Sequence, residues 1–241
     1  MAKWLKVGVL DGGIVVRGDD GTPQGGPLSP LLANIYLHYV LDLWFGHRVR
    51  PATVGACALV RYADDFVVCF EHRVEAERFR RELAARFARF GLRLSAEKTK
   101  QIEFGKWAGH NGTKGLSEQP RTFEFLGFTH YMRKRGSRGY RVARKPSRAS
   151  RNRFLRSVKD WLVRHRDRSV WFQAQVLRRK LQGYYAYFGL RYCLPALRHI
   201  RWHVGLLWIT ALRNRSQRHR LPWRRVVRLP WFHRLPEPSL R

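Results

Sequence analysis

Two adjacent carboxylates, Asp64 and Asp65, are the side chains of this sequence that are best suited to chemistry. They lie between two runs of strand-forming residues in ALVRYADDFVVCF, residues 58–70, which predicts a tight hairpin with both aspartates at its turn. Neighbouring carboxylates repel each other, and a cation would relieve that repulsion. Mg²⁺ prefers carboxylate oxygens, water and substrate phosphate, and serves phosphoryl transfer in such sites. The alternative interpretation is an ordinary polar turn, because acidic residues are common in turns.

A large excess of positive charge indicates an anionic partner. The 241 residues include 48 Lys+Arg and 17 Asp+Glu, which gives a formal net charge of +31. Residues 141–241 contain 26 Lys and Arg against 3 acids, whereas residues 1–140 contain 22 against 14. Such a field attracts RNA or DNA by releasing condensed counterions. Charge alone is explained equally well by a basic surface without chemistry, of the kind found in ribosomal proteins.

The composition excludes several classes of protein. A content of 44% hydrophobic and 13% aromatic residues is enough for a packed core, so the chain is not a disordered basic tail. The three cysteines, Cys57, Cys69 and Cys193, form no CxxC pair, which argues against a disulfide framework or a zinc knuckle and fits a reducing cytoplasm. No apolar stretch approaches the length of a membrane span, so we expect a soluble polyanion as partner and no membrane.

Elements on both sides of the aspartates should position them. The dipeptide Asp11-Gly12 between short apolar runs predicts an N-terminal hairpin. Ser29-Pro30 predicts the start of a helix that Gly46 ends. A second helix is predicted over 75–90, followed by strands near 93–104 and 122–131.

The pattern changes to helices beyond residue 150. Apolar stripes predict three basic helices over 148–166, 170–189 and 195–214, which we expect to form a small bundle. The last 21 residues, 221–241, contain four prolines and are expected to form an extended tail. The fold class predicted from these elements is α+β, with a sheet-containing part followed by an all-helical part.

Four sequence blocks occur in the order typical of one family. They are GTPQGGPLSPLLAN (21–34), YADD (62–65), LRLSAEKTK (92–100) and FEFLGF (123–128). In this respect the chain resembles the group II intron-encoded reverse transcriptase/maturase family. LQGYY (181–185) and LRNRSQ (212–217) also resemble its thumb, or maturase, region.

The resemblance implies a partial polymerase palm, an antiparallel sheet with packed helices, followed by an all-α basic thumb/maturase bundle. The corresponding domains are the palm at 1–132, a basic linker at 133–150, the helical thumb/maturase region at 151–220 and the basic Pro-rich tail at 221–241. The implied function is RNA-directed DNA polymerase and intron maturase. Structured intron RNA, a DNA primer or template and deoxynucleotides are the partners that this function requires.

The resemblance also assigns roles to individual residues. Asp64 and Asp65 are implied to be catalytic and to bind Mg²⁺ while a primer 3′-hydroxyl attacks a nucleotide. Gln24, Gly25 and Lys98 are implied to contact the nucleotide, and Leu126 and Gly127 to form the primer grip. Seven basic residues are implied to bind RNA: Arg144, Lys145, Arg148, Arg151, Arg178, Arg179 and Lys180.

One part of the family pattern is missing, namely the carboxylate motif upstream of Asp64. We therefore expect a truncated or remnant copy, or one piece of a split enzyme whose N-terminal half is a partner, and no primer extension by the chain alone. Other hypotheses are a non-catalytic RNA-binding maturase module, an inactive gene remnant, and a retron or diversity-generating reverse transcriptase.

Overall fold

The computed structural model describes residues 9–11, 14–16, 29–105, 122–134, 140–215, 224 and 235–240. The chain divides into two compact units, Met1–Gln101 and Ile102–Arg241. Both units contain antiparallel strands and helices, so the predicted α+β class is confirmed. None of the helices in these described stretches is long and apolar enough to cross a membrane.

The described residues of the first unit form two hairpins and two α-helices. Its elements are β1 (Val9–Asp11), β2 (Ile14–Val16), α1 (Ser29–Leu37), β3 (Cys57–Tyr62), β4 (Asp65–Phe70) and α2 (Arg73–Arg89). Strand β1 pairs antiparallel with β2, with Asp11 opposite Ile14, which confirms the predicted N-terminal hairpin. A buried core joins α2 to the residues that follow α1, through Phe79, Leu83 and Phe87 on the α2 side.

The prediction that Gly46 ends the first helix was wrong. Helical structure continues beyond α1 as wider turns at His38–Asp42 and Phe45–Val49 and a tight 3₁₀ turn at Arg50–Ala52. A helical glycine costs only about 1 kcal/mol, whereas burying one large apolar side chain contributes roughly 1.5–3 kcal/mol. The buried side chains of Phe45 and Val49 therefore outweigh the intervening glycine.

The strand predicted near 93–104 is also absent, because residues 92–104 of the described chain contain no strand. Leu92 and Leu94 pack against the buried core of the first unit. Directly after Leu94 the chain turns between Ser95 and Thr99. Both the backbone nitrogen and the hydroxyl of Thr99 donate to the carbonyl of Ser95, at 2.9 and 2.7 Å. A local turn has replaced the hydrogen bonds of a strand ladder.

The second unit begins with a three-stranded antiparallel sheet in the order β5-β6-β7. Its strands are β5 (Phe123–Phe125), β6 (Phe128–Lys134) and β7 (Tyr140–Pro146). The prediction of strands near 122–131 is confirmed. The stretch 133–150, expected to be a basic linker, instead supplies the end of β6, all of β7 and the start of a helix. Within β7, Arg141, Arg144 and Lys145 are exposed while Ala143 and Pro146 are buried, so high charge did not prevent strand formation.

Three long helices follow in the part of the second unit that the structure describes: α3 (Arg148–Arg164), α4 (Val170–Phe188) and α5 (Leu194–Arg213). Each lies within two residues of its predicted bounds. Their apolar stripes meet in one buried core that includes Leu162, Leu181 and Trp208. Residues 235–240, in the predicted tail, form no helix or strand, and Leu235 is buried in the same core.

Candidate functional site

The two aspartates lie at the tip of the β3–β4 hairpin, as predicted. Strand β3 pairs with β4 from Cys57 opposite Phe70 to Tyr62 opposite Asp65, so Ala63 and Asp64 form a two-residue turn. Ala63 has a φ of +53°, in the left-handed region that hairpin turns require of a central residue. Asp64 and Asp65 are both exposed, and neither carboxylate forms an ion pair with another described residue.

Arg61, the residue before the YADD block, holds this turn in place. Its Nη1 donates to the carbonyl oxygen of Ala63 and to Oδ1 of Asn34, both at 2.9 Å. Its Nε and Nη2 donate to the two carboxylate oxygens of Asp42, at 2.8 and 2.6 Å. One guanidinium therefore links the strained turn to α1 and to the helical turn that follows α1.

The contact with Arg61 also lowers the pKa of Asp42. The hydrogen bonds from Arg61, together with its positive charge and the neighbouring His38, hold the pKa of Asp42 below its ordinary value against the opposing effect of burial. Asp42 thus stays ionised as the counter-ion of Arg61. Because both its oxygens are engaged by Arg61, Asp42 is a structural partner of the hairpin.

Sequence reasoning missed the Arg61–Asp42–Asn34 network. A usable signal was present in the four blocks, since Asn34 ends the first and Arg61 directly precedes the second. The sequence does not show that Arg61 pairs with Asp42, 19 residues away, or with Asn34, 27 residues away.

Leu126 and Gly127, the residues implied to form the primer grip, make the turn between β5 and β6. Both residues have positive φ, +49° and +75°, and Phe125 pairs with Phe128 across them. The carbonyl of Gly127 accepts from the Ser147 backbone nitrogen at 2.8 Å and from the Ser150 hydroxyl at 3.1 Å. The Tyr187 hydroxyl donates to the carbonyl of Leu126 at 2.9 Å. Groups at the start of α3 and the end of α4 therefore fasten this turn.

The seven basic residues implied to bind RNA lie in two sequence regions of the second unit. Arg144, Lys145, Arg148 and Arg151 run from β7 into the first turn of α3, and Arg178, Arg179 and Lys180 lie on α4. All are exposed except Arg151 and Lys180, which are half-buried. The Nε of Arg151 is buried and has no hydrogen-bond partner in the described chain. This nitrogen is therefore shielded from a ligand in solution.

Comparison with known proteins decides the family. Residues 5–130, more than half of the chain, match the family described as "Reverse transcriptase (RNA-dependent DNA polymerase)". The chain belongs to the reverse transcriptase family. The match includes the Asp64-Asp65 hairpin and the Leu126-Gly127 turn, the two predicted sites whose geometry is described above.

Two individual relatives show which reverse transcriptases the chain resembles. Over 125 residues the chain is 34% identical to Protein YkfC of Escherichia coli (strain K12), covering 41% of this chain and 33% of that protein. Over 45 residues it is 61% identical to Group II intron-encoded protein LtrA of Lactococcus lactis subsp. cremoris, covering 17% of this chain and 8% of that protein. The resemblance to group II intron-encoded reverse transcriptases is thereby confirmed, and the matched segments span a third or less of each relative.

Reverse transcriptases are metal-dependent, and the donor set of the hairpin suits Mg²⁺. Asp64 and Asp65 offer hard carboxylate oxygens that face solvent and have no competing cation among the described residues. Two carboxylates leave most of an octahedral coordination shell to water and phosphate, which Mg²⁺ accepts readily. Within the described residues, no cluster of three or more His, Cys, Asp or Glu is placed to hold a metal.

Of the three residues implied to bind the nucleotide, the structure describes only Lys98. Lys98 is exposed, in the turn at 96–98 that follows α2. Gln24 and Gly25 lie outside the described residues. Their assignment to the nucleotide is therefore a prediction from the sequence.

Proposed function

We propose that this reverse transcriptase-family chain acts in RNA-directed DNA synthesis and intron RNA binding, with the Asp64-Asp65 turn holding Mg²⁺. The observation that carries the proposal is the geometry of the hairpin. Two exposed carboxylates without described partners stand on a turn whose backbone is fixed by Arg61. Placing two like charges side by side costs stability, and a divalent cation offsets that cost.

The chemistry follows from the groups at the turn. Mg²⁺, when bound, neutralises phosphate charge and favours ionisation of an attacking hydroxyl. Asp64 and Asp65 would hold it, and Arg61 would keep their turn from shifting as the ligand arrives. We assign the nucleotide to Gln24, Gly25 and Lys98, and the primer to the Leu126-Gly127 turn. A primer 3′-hydroxyl is the proposed nucleophile.

We assign RNA binding to the second unit, whose helices α3, α4 and α5 we interpret as the thumb/maturase bundle. Three acids among residues 141–241 can neutralise only a small part of the 26 basic side chains. The helices bury their apolar faces in a common core and leave the basic residues outside. A rigid basic surface of this kind binds phosphate backbones in a salt-dependent way.

Metal binding can be measured with Tb³⁺, because Tyr62 adjoins the turn, is 66% exposed and can sensitise lanthanide luminescence. We expect Tb³⁺ luminescence from the wild-type chain that Mg²⁺ displaces. Asp64→Asn and Asp65→Asn should each weaken it, whereas Asp160→Asn, at an exposed carboxylate on α3, should leave it unchanged. Equal luminescence in all four proteins would contradict the proposed metal site.

Polymerisation is a separate question from metal binding. A two-metal site needs a bridging carboxylate besides the two at this turn, so we expect the isolated chain to show no Mg²⁺-dependent primer extension. Extension of a DNA primer on an RNA template, with loss of that activity in Asp64→Ala, would contradict this expectation. It would leave the assignment of Asp64 to the metal intact.

A second candidate function is RNA binding without catalysis, which the charge of residues 141–241 favours. Under this hypothesis Asp64→Asn leaves RNA affinity unchanged, and the logarithm of the affinity falls steeply with the logarithm of salt concentration. Filter binding over a salt series measures both. A flat plot would exclude RNA binding through phosphate contacts.

A further inference from the structure

Three arginines converge on one tyrosine in the second unit. Tyr192 lies in the short connection between α4 and α5, and the guanidinium carbons of Arg133 and Arg191 lie 5.4 and 5.1 Å from its ring centroid. Arg141 donates from Nη1 to the Tyr192 hydroxyl at 3.5 Å. All three arginines are exposed. We refer to these four residues as the Tyr192 cluster.

The Tyr192 cluster brings positive charges close together. Arg133 on β6 is the direct cross-strand partner of Arg141 on β7, and like charges directly opposite each other destabilise a sheet. None of the three guanidiniums forms an ion pair with a carboxylate of the described chain. The hydrogen bond from Arg141 and the surrounding positive charge hold the pKa of Tyr192 below its ordinary value.

The backbone at Tyr192 is also strained. Its φ is +74°, in the left-handed region that bulky side chains rarely adopt. Such strain persists where the surroundings fix it, and it is concentrated at ligand-binding and active sites. Here the next residue, Cys193, is completely buried, and its Sγ contacts the Arg144 carbonyl of β7 at 3.3 Å. That contact holds the connection against the sheet and keeps Tyr192 beside Arg141.

The start of α5 adds to the positive potential. This 20-residue helix begins at Leu194, two residues after Tyr192, with Pro195 in its first turn. The N-terminus of a helix carries partial positive charge and favours anions. The convergent arginines, the cross-strand repulsion, the strained tyrosine and the helix terminus therefore all favour a negatively charged ligand.

We propose that the Tyr192 cluster is a clamp for a backbone phosphate of RNA, formed by Arg133, Arg141 and Arg191. This inference rests on the RNA-binding function proposed above and adds residues outside the seven that the resemblance implied. Guanidinium groups match phosphate through paired N–H donors. They also already cover the Tyr192 ring, so we favour a phosphate over a base stacked on that ring.

The test compares salt dependence of binding to a poly(U) oligonucleotide. Each phosphate contact to single-stranded RNA contributes about 0.7 to the slope of log affinity against log salt. The triple variant Arg133→Gln/Arg141→Gln/Arg191→Gln removes the clamp and should lower the magnitude of that slope by about this amount. A control with equal charge loss, Arg80→Gln/Arg81→Gln/Arg93→Gln, changes exposed arginines of the first unit and should leave the slope unchanged.

The outcomes separate the clamp from the function on which it rests. A steep wild-type slope that the clamp variant does not change, or that the control lowers equally, would overturn the clamp and leave RNA binding standing. A flat wild-type slope would overturn both. The thermal midpoint of the clamp variant should equal or exceed that of the wild type, because the substitutions remove cross-strand repulsion. The matching triple lysine variant retains the charge and should keep the wild-type slope.

Discussion

Arg61 binds both carboxylate oxygens of Asp42, with Nε 2.8 Å from Oδ1 and Nη2 2.6 Å from Oδ2. Only 13% of the arginine side chain and 26% of the aspartate side chain are exposed. The same guanidinium reaches the carbonyl of Ala63 in the aspartate turn. The ion pair therefore joins the hairpin that carries the candidate metal ligands to the helical turn at His38–Asp42.

We expect Arg61→Ala and Asp42→Ala each to lower the free energy of unfolding by about 2 kcal/mol, since each leaves a partly buried charge without its partner. The double variant should cost less than the sum of the single variants because the two residues share one interaction. Chemical denaturation of all four proteins measures this coupling. As a control, Arg73→Gln in the exposed ion pair of Arg73 and Glu77 should lower the free energy of unfolding by no more than about 0.5 kcal/mol. Additive losses would contradict the coupling.

The lowered pKa of Asp42 predicts how stability depends on pH. A carboxyl whose pKa is lower in the folded chain than in the unfolded chain stabilises the fold above its unfolded value, near 3.9, and this contribution is lost as pH falls through the folded pKa. Unfolding measured between about pH 6 and pH 2 should therefore show less loss of stability for Asp42→Asn than for the wild type. Parallel curves would show that Asp42 does not contribute.

Opposite effects are expected for two glycines of the second unit. A Cβ at Gly127 would lie 2.9 Å from the Ser150 hydroxyl oxygen, and the φ of +75° disfavours any L side chain. Gly127→Ala should therefore destabilise the chain by roughly 1–2 kcal/mol. Gly183→Ala meets nothing within 4 Å inside α4 and should stabilise it by about 0.5–1 kcal/mol. Thermal unfolding of both variants measures the difference, and a shift of the same sign would contradict the turn geometry.

The helices of the second unit were predictable because local rules agree with the packing there. Ser147 and Ser169 each cap a helix by accepting from a backbone nitrogen three residues on, and Pro195 lies in the first turn of α5. The apolar stripe of each helix is the side that enters the core. The hairpin at Asp64-Asp65 was predictable for the same reason, since strand-forming residues flank a polar turn.

The helix end at Gly46 and the contacts of Arg61 and Tyr192 were not predicted because distant residues decide the local structure there. Gly46 remains helical because Phe45 and Val49 reach the core beside α2. The link from Arg61 to Asp42 and the convergence of arginines on Tyr192 depend on residues far apart in sequence. No local pattern distinguishes an arginine that fixes a turn from one that is solvated. The YADD block could be recognised from the sequence, but the residues that fix its geometry could not.

Gln173 is a fully buried polar side chain in the helical core. Its Nε2 donates to the carbonyl of His165 at 2.6 Å, and its Oε1 accepts from the Trp208 indole at 2.9 Å. Gln173→Leu keeps the approximate volume but leaves both partners without this hydrogen bond, so we expect a loss of about 2–4 kcal/mol. Gln182→Leu, at an exposed position of the same helix, should change stability by less than about 0.5 kcal/mol. Equal effects in urea unfolding would show that the Gln173 bridge contributes nothing beyond its packing.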